Sequence, residues 1–172
     1  MAVPMHSGEG QAASAKLPLK PLLAGKRGGG MKLVQQLLDR KGDEIISITK
    51  DASVFDAIKL MADRGVGSLL VMDGDELKGI VTERDYARKV IIKGRSSEST
   101  PVADIMTTDL VTASLTQSVN DCMTLMSERR IRHLPVLVDG KVAGMISIGD
   151  LVQAIISDQQ EEIEQLESYI SG

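Results

Sequence analysis

The chain has 172 residues, 42% apolar and 26% charged, a balance that fits one ordinary soluble domain or two small ones packed as a unit. Net charge is −4, and only Phe55, Tyr86 and Tyr169 are aromatic, which argues against a base-stacking single-strand binder and against attraction of the whole molecule to nucleic acid or an anionic membrane. The single cysteine, Cys122, excludes an intrachain disulfide and a multi-cysteine zinc site and suits a reducing, cytoplasmic compartment. Two histidines, His6 and His133, leave little for a metal centre, and no apolar run reaches the roughly 18 residues of a spanning helix.

Residues 1–30 are rich in Gly, Ala and Pro, show no apolar period, and carry Lys16, Lys20, Lys26 and Arg27 against Glu9. They read as a disordered extension closed by Gly28, Gly29 and Gly30, with Met31 as an alternative start; the lack of a continuous apolar stretch and the scarcity of Arg fit a targeting peptide less well. A β-branched strand follows at 45–49. Ser53 then opens a helix whose Val54, Ala57, Ile58 and Met61 lie at helical spacing. A strand at 68–72, a turn at Asp73-Gly74-Asp75, a strand at 78–81 and a helix at 84–92 complete the unit. The polar stretch KGRSSESTP at 93–101 reads as a linker. The same order then returns: a strand at 110–113, a helix opened by Ser118 with Val119, Cys122, Met123 and Met126 on one face, a strand at 134–138, a turn at Asp139-Gly140, a strand at 142–146 and a helix at 149–156. Ile163, Leu166 and Ile170, spaced among acidic residues, predict an amphipathic C-terminal helix that packs on the body or on a second chain.

A shift of 65 residues aligns the two units without a gap: Ser53-Val54 on Ser118-Val119, Asp56 on Asp121, Leu60-Met61 on Leu125-Met126, Arg64 on Arg129, Leu69 on Leu134, Gly79 on Gly144 and Asp85 on Asp150. The expected fold class is therefore α/β, two β-α-β-β-α repeats packed with pseudo-two-fold symmetry, each covering the open sheet face of the other. The expected boundaries are an extension at 1–30, a first repeat at 31–92, a linker at 93–101, a second repeat at 102–157 and a C-terminal helix at 158–172.

The sharpest local signal is Gly79-Ile-Val-Thr-Glu-Arg-Asp85, matched by Gly144-Met-Ile-Ser-Ile-Gly-Asp150. Each strand delivers a hydroxyl, Thr82 or Ser147, to the start of a helix, and a carboxylate there has two oxygens that match the vicinal diol of a ribose. Thr82-x-x-Asp85 and Ser147-x-x-Asp150 also resemble capping boxes, and a capping hydroxyl can still touch a ligand.

The paired repeat, with the stretches TERDYARKVI, KGRSSEST, VADIMT, RIRHLPV and GMISIGDL, resembles the tandem CBS (cystathionine-beta-synthase-type) domain pair, or Bateman module, in its stand-alone form. The resemblance covers roughly residues 32–157. It implies two inter-repeat clefts for adenine nucleotides, with Asp85 and Asp150 holding ribose and Thr82 and Ser147 near ribose or phosphate. It also implies contacts from the residues before the middle strand, Val66, Gly67 and Ser68 in one copy and Ile131, Arg132 and His133 in the other. The implied ligand is AMP or a related adenosine compound (ADP, ATP, NAD(H) or S-adenosylmethionine), with no cofactor required. The implied assembly is a homodimer that signals to a separate regulated protein.

The copies differ in charge. Arg129, Arg130, Arg132 and His133 stand where the first copy has Arg64, Gly65, Gly67 and Ser68, so a phosphate-bearing ligand is expected to find more positive charge beside the cleft of the second copy. A solvated helix end has the same composition. Arg84 can turn toward a phosphate, and Arg88, Lys89, Lys93 and Arg95 extend a basic stripe into a linker whose Ser96, Ser97, Ser99 and Thr100 offer hydroxyls. No Cys–His or Ser–His–Asp set suggests an enzyme, and Cys122 falls at the core-facing position of Ala57. The Met61/Leu60 and Met126/Leu125 stripes serve either the core or a dimer face. A structural dimer without ligand, or a nucleic-acid module using the basic cluster, is the alternative function.

Overall fold

Two serines start equivalent helices by the same bond. Ser53 Oγ accepts the Asp56 N–H at 3.1 Å and opens α2 (Val54–Arg64), and Ser118 Oγ accepts the Asp121 N–H at 3.0 Å and opens α4 (Val119–Arg129). The computed structural model describes residues 32–171, so the extension expected at 1–30 lies outside the described residues. Its elements run α1 (Val34–Lys41), β1 (Ser47–Ile48), α2, β2 (Ser68–Asp73), β3 (Glu76–Thr82), α3 (Glu83–Tyr86), α4, β4 (His133–Val138), β5 (Lys141–Ser147) and α5 (Ile148–Ser171).

In the first repeat β1 runs parallel to β2, which pairs antiparallel with β3. The second repeat keeps the hairpin of β4 and β5, with a register shift at Val136/Leu137 that repeats the one at Val71/Met72. The strand expected at 110–113 shrinks to one bridge at Ala113, whose N–H donates to the Pro135 carbonyl at 2.8 Å. The cause is a single residue. In the first repeat the Leu70 N–H donates to the Ile46 carbonyl at 3.2 Å, and the equivalent position in the second repeat is Pro135, which has no N–H to give.

Each repeat takes its lid from the segment preceding the other. Val34, Leu37 and Leu38 of α1 are buried with Val119, Cys122, Met126, Leu134, Val136, Ile146 and Leu151 of the second repeat. Val102 and Ile105, at the start of the second repeat and ahead of its helix and strands, are buried with Val54, Ala57, Met61, Leu69, Val71 and Val81 of the first. The bonds repeat the exchange: the Val54 N–H donates to the Thr100 carbonyl at 2.8 Å and the Val119 N–H to the Lys32 carbonyl at 2.9 Å. Val34, Leu37 and Leu38, expected in the first repeat, therefore pack against the second. Leu69 and Val71 face their own core, and alternation turns the buried Leu70 to the opposite face.

Two helices differ from expectation. The one expected at 84–92 is a short α3 that continues as a π-helical turn over Ala87–Ile91, its Ile92 N–H donating to the Ala87 carbonyl at 3.1 Å before Gly94 turns the chain at φ 65°. The two expected at 149–156 and 157–170 are one continuous helix, α5, because no Gly or Pro interrupts the chain between Asp150 and Ser171. Met61 and Met126 are buried, which removes them from any dimer face.

Candidate functional site

Thr82 ends β3 and caps α3, and the cap is reciprocal. The Asp85 N–H donates to Thr82 Oγ1 at 3.1 Å, while the Thr82 N–H donates to Asp85 Oδ2 at 3.0 Å. The carboxylate that serves this cap also lines a cavity of about 440 Å³, together with Gly67, Ile80, Thr82, Arg84, Arg88 and Thr107. Its opposite wall is Arg130, Ile131, Arg132 and His133 of the second repeat. Asp85 Oδ1 lies 3.1 Å from Lys89 Nζ, which also donates to the Ile105 carbonyl at 2.9 Å; Lys89 is not part of the cavity wall.

Arg130 is positioned at a conformational cost. It caps α4 in the left-handed region at φ 53°, where the first repeat has Gly65 at φ 63°. A side chain there costs roughly 1 kcal/mol and more relative to glycine. The outlier places a guanidinium on the wall of a cleft that already contains Arg84, Arg88 and Arg132. Arg84 Nη1 donates to the Arg130 carbonyl at 3.3 Å, and the equivalent backbone bonds from Glu83 N–H to the Gly67 carbonyl (3.1 Å) and from Ile148 N–H to the Arg132 carbonyl (2.8 Å) fix both walls. The basic run therefore faces Asp85 rather than Asp150. The expectation of more positive charge beside the cleft of the second copy is corrected, because each repeat walls the other's cleft and Arg130 and Arg132 stand with Asp85.

A second cavity, of about 450 Å³, holds Ser147 and Asp150 against Gly65, Val66, Gly67 and Ser68 of the first repeat. The same cap recurs: the Asp150 N–H donates to Ser147 Oγ at 3.2 Å and the Ser147 N–H to Asp150 Oδ2 at 2.8 Å. Lys41, Ile46, Arg64 and Met145 complete the wall, with Arg64 paired to Glu44. Lys41 Nζ donates to Asp150 Oδ2 and to the Met145 carbonyl, both at 2.6 Å. Burial pushes the Asp150 carboxyl up, but the bonds from Lys41 and Ser147 outweigh it and hold the group below its ordinary value. Gly67 and His133 line both cavities. Burial, then the charge of Lys41, lowers the His133 pKa against the opposing pull of Asp150.

All twelve residues expected at the site line one or other cavity, with Gly67 and His133 lining both. Lys41 and Thr107 were not anticipated. Lys41 lies outside the region that the repeat alignment compares, and Thr107 precedes the second repeat's first strand. The linker hydroxyls are used in packing instead: Ser97 Oγ bonds Tyr86 Oη at 3.0 Å, Ser96 Oγ accepts the Ser99 N–H at 3.4 Å, and Thr100 is buried. Among the described residues no group of His, Cys, Asp and Glu is placed to hold a metal ion, and no helix is long and apolar enough to cross a membrane.

Two sheet-bearing repeats that wall each other's clefts, each cleft with a hydroxyl and a carboxylate at a helix start, define a paired-repeat module. The family profile of the CBS domain matches residues 38–92 and 102–157, and the chain belongs to the CBS domain family. It is 47% identical over 129 residues to the mitochondrial CBS domain-containing protein CBSX3 of Arabidopsis thaliana, a match covering 72% of this chain and 63% of that relative. The chain thus spans less than two thirds of that relative's length. A protein with CBS domains from Burkholderia ambifaria MC40-6 is 53% identical, with a TM-score of 0.72 over 74% of this chain and 96% of that one. The CBS domain pair of protein MJ0100, solved in complex with 5′-methylthioadenosine and S-adenosyl-L-methionine, is 25% identical, with a TM-score of 0.65 over 72% of this chain and 99% of that one.

Proposed function

We propose that the chain is a sensor for an adenosine ligand, AMP or a phosphorylated relative, that holds it between the repeats and passes the signal to another protein. The observation that carries this reading is the Asp85 cleft. A carboxylate held by Thr82 stands opposite the cationic run of Arg130 and Arg132, across a cavity of about 440 Å³. Carboxylate for the ribose diol and guanidinium for the phosphate are the two chemistries a nucleoside monophosphate needs. The adenosine compounds bound by the MJ0100 pair support the ligand class. The role is binding rather than catalysis. Ligand acts through whatever difference in affinity it has for two packings of the repeats or of two subunits. We place the homodimer contact on α5, whose Val152, Ile156, Ile163, Leu166 and Ile170 are exposed apolar side chains. The reduced Cys122 suits the cytoplasm, with an organelle matrix the alternative suggested by the Arabidopsis relative.

Thermal unfolding against AMP, ADP, ATP, NAD+, NADH and S-adenosylmethionine, with guanosine controls, tests the reading. A ligand at 100 times its dissociation constant stabilises by about 2.7 kcal/mol, a shift of several degrees. Stabilisation by adenosine compounds and not by their guanosine counterparts is expected. No shift with any of them contradicts it and favours a ligand-free dimer.

A further inference from the structure

Lysines hold the two cleft carboxylates alike. Lys89 lies 3.1 Å from Asp85 Oδ1 and donates to the Ile105 carbonyl, and Lys41 donates to Asp150 Oδ2 and to the Met145 carbonyl. The bonds from Lys41 and Ser147 both fall on Asp150 Oδ2, so the second cleft keeps Oδ1 as an acceptor for a ribose hydroxyl. The clefts differ in the charge around these carboxylates. The Asp85 cleft gathers Arg84, Arg88, Arg130 and Arg132 against Glu83 and an Asp85 that Lys89 already neutralises. Among the described residues none of the four guanidinium groups pairs with a carboxylate. In the Asp150 cleft Lys41 and Arg64 meet Asp150 and Glu44 one for one, and each cation is bonded to its acid. The repeat alignment gives the same division position by position. Arg84 and Arg88 stand where the second repeat has Gly149 and Gln153, and Arg130 and Arg132 stand where the first has Gly65 and Gly67. Because each repeat walls the other's cleft, all four arginines collect at Asp85, and Gly65 and Gly67 take the place of two of them at Asp150.

We propose that the two clefts sort adenosine ligands by charge, the Asp85 cleft taking the phosphorylated nucleotide and the Asp150 cleft an adenosine compound that carries no phosphate. This rests on the adenosine reading above. A phosphate entering the Asp85 cleft relieves the repulsion among four guanidinium groups and finds donors for its oxygens. A phosphate entering the Asp150 cleft finds no net positive charge, and Glu44 repels it even when Arg64 turns to meet it. A ribose without phosphate meets neither obstacle there. The protein then responds to two adenosine compounds held side by side, across the Gly67 and His133 that both cavities share.

Calorimetric titration of AMP and of adenosine into Asp150→Ala and Asp85→Ala, each with one carboxylate intact, tests it. AMP is expected to bind Asp150→Ala at least about tenfold more tightly than adenosine does. In Asp85→Ala adenosine should bind as tightly as AMP or more so, and Glu44→Gln added to that variant should shift the preference toward AMP several-fold. The wild type saturated with AMP should still bind adenosine, a readout that needs no variant to fold. The same AMP-to-adenosine ratio in both single-cleft proteins, a preference that Glu44→Gln leaves unmoved, or loss of adenosine binding in the AMP-saturated wild type overturns the proposal. So does a failure of adenosine to bind Asp85→Ala while Asp150→Ala still binds AMP. Absence of binding by both compounds in every protein defeats the adenosine reading itself.

Discussion

Arg84 and Arg130 come from different repeats and meet in one bond, Arg84 Nη1 donating to the Arg130 carbonyl at 3.3 Å. Arg88 and Arg132 line the same cleft, so four guanidinium groups, two on each wall, share one cavity with a single capping carboxylate, Asp85, and the exposed Glu83. Such a cluster repels itself, and an anion bound among its members relieves the repulsion.

Arg130 occupies a left-handed position that glycine fills in the first repeat, so Arg130→Gly trades function for stability. The variant should unfold at higher denaturant, with a gain of up to about 1 kcal/mol, while binding AMP several-fold more weakly. Urea titration and calorimetry on the same preparation check both halves. A variant that is less stable, or that binds AMP as well as the wild type, contradicts the assignment.

His133 gives the cleft a pH dependence. Its pKa is lowered from the ordinary 6.5 by burial and by the charge of Lys41, so the folded protein holds it neutral while the unfolded chain protonates more readily. Its contribution to stability is present in full above pH 6.5 and is lost as pH falls from there toward the lowered value. A phosphate beside the ring favours the imidazolium, so the His133 ring should take up a proton on AMP binding as pH falls toward the ordinary 6.5 and below, seen as a dependence of the binding enthalpy on buffer ionisation. The guanidinium groups around the cleft favour the phosphate dianion, so its second ionisation, near about 6 in the free nucleotide, releases a proton on binding in every variant. His133→Gln should therefore abolish the uptake and leave only the phosphate's release, and equal proton exchange in both proteins would show that His133 does not face the phosphate.

Gly79 and Gly144 occupy equivalent places but differ in what a methyl group would meet. A Cβ at Gly79 stands 2.9 Å from the Thr107 carbonyl oxygen, which is held by the Ile80 N–H, and 3.1 Å from Met106 Sδ. A Cβ at Gly144 stands 2.9 Å from Cδ2 of Leu38, the end of a flexible side chain. Gly79→Ala should cost about 1–3 kcal/mol and Gly144→Ala clearly less, by denaturant unfolding. The reverse order would mean that the lid segments are held differently in solution.

Cys122 has no exposed surface, and burial, then the nearby Asp121 charge, raises its thiol to about 11. Disulfide reagents should leave it unmodified in the native protein at pH 8 and label it at the rate of unfolding. Rapid native labelling would contradict the packing of α4 against α1.

Much of this architecture was legible in the sequence because it is duplicated. One capping box reads as a helix start, whereas Thr82/Asp85 and Ser147/Asp150 at the same repeat position mark two equivalent clefts. The second repeat's missing strand was less legible, since its cause is the absent N–H of Pro135 opposite a carbonyl, a pairing that β-propensity at 110–113 does not report. The crossed packing was hidden for a different reason. The helix carrying Val34 and Leu37 was not read from the sequence, nothing in the sequence says which repeat Val34, Leu37, Val102 and Ile105 cover, and that choice decides where the basic wall stands and puts Lys41 on Asp150.

The central claim is that one adenosine ligand lies between Asp85 and the Arg130–His133 wall. The most direct measurement is an amide chemical-shift titration of the labelled protein with AMP. The account predicts saturable shifts at Thr82, Arg84 and Asp85 together with Gly67, Ile131, Arg132 and His133, all absent in Asp85→Ala. Its cap loss alone lowers stability by about 1 kcal/mol and leaves the rest of the spectrum folded. Shifts that are absent, that fall on only one of the two walls, or that persist unchanged in Asp85→Ala would contradict it.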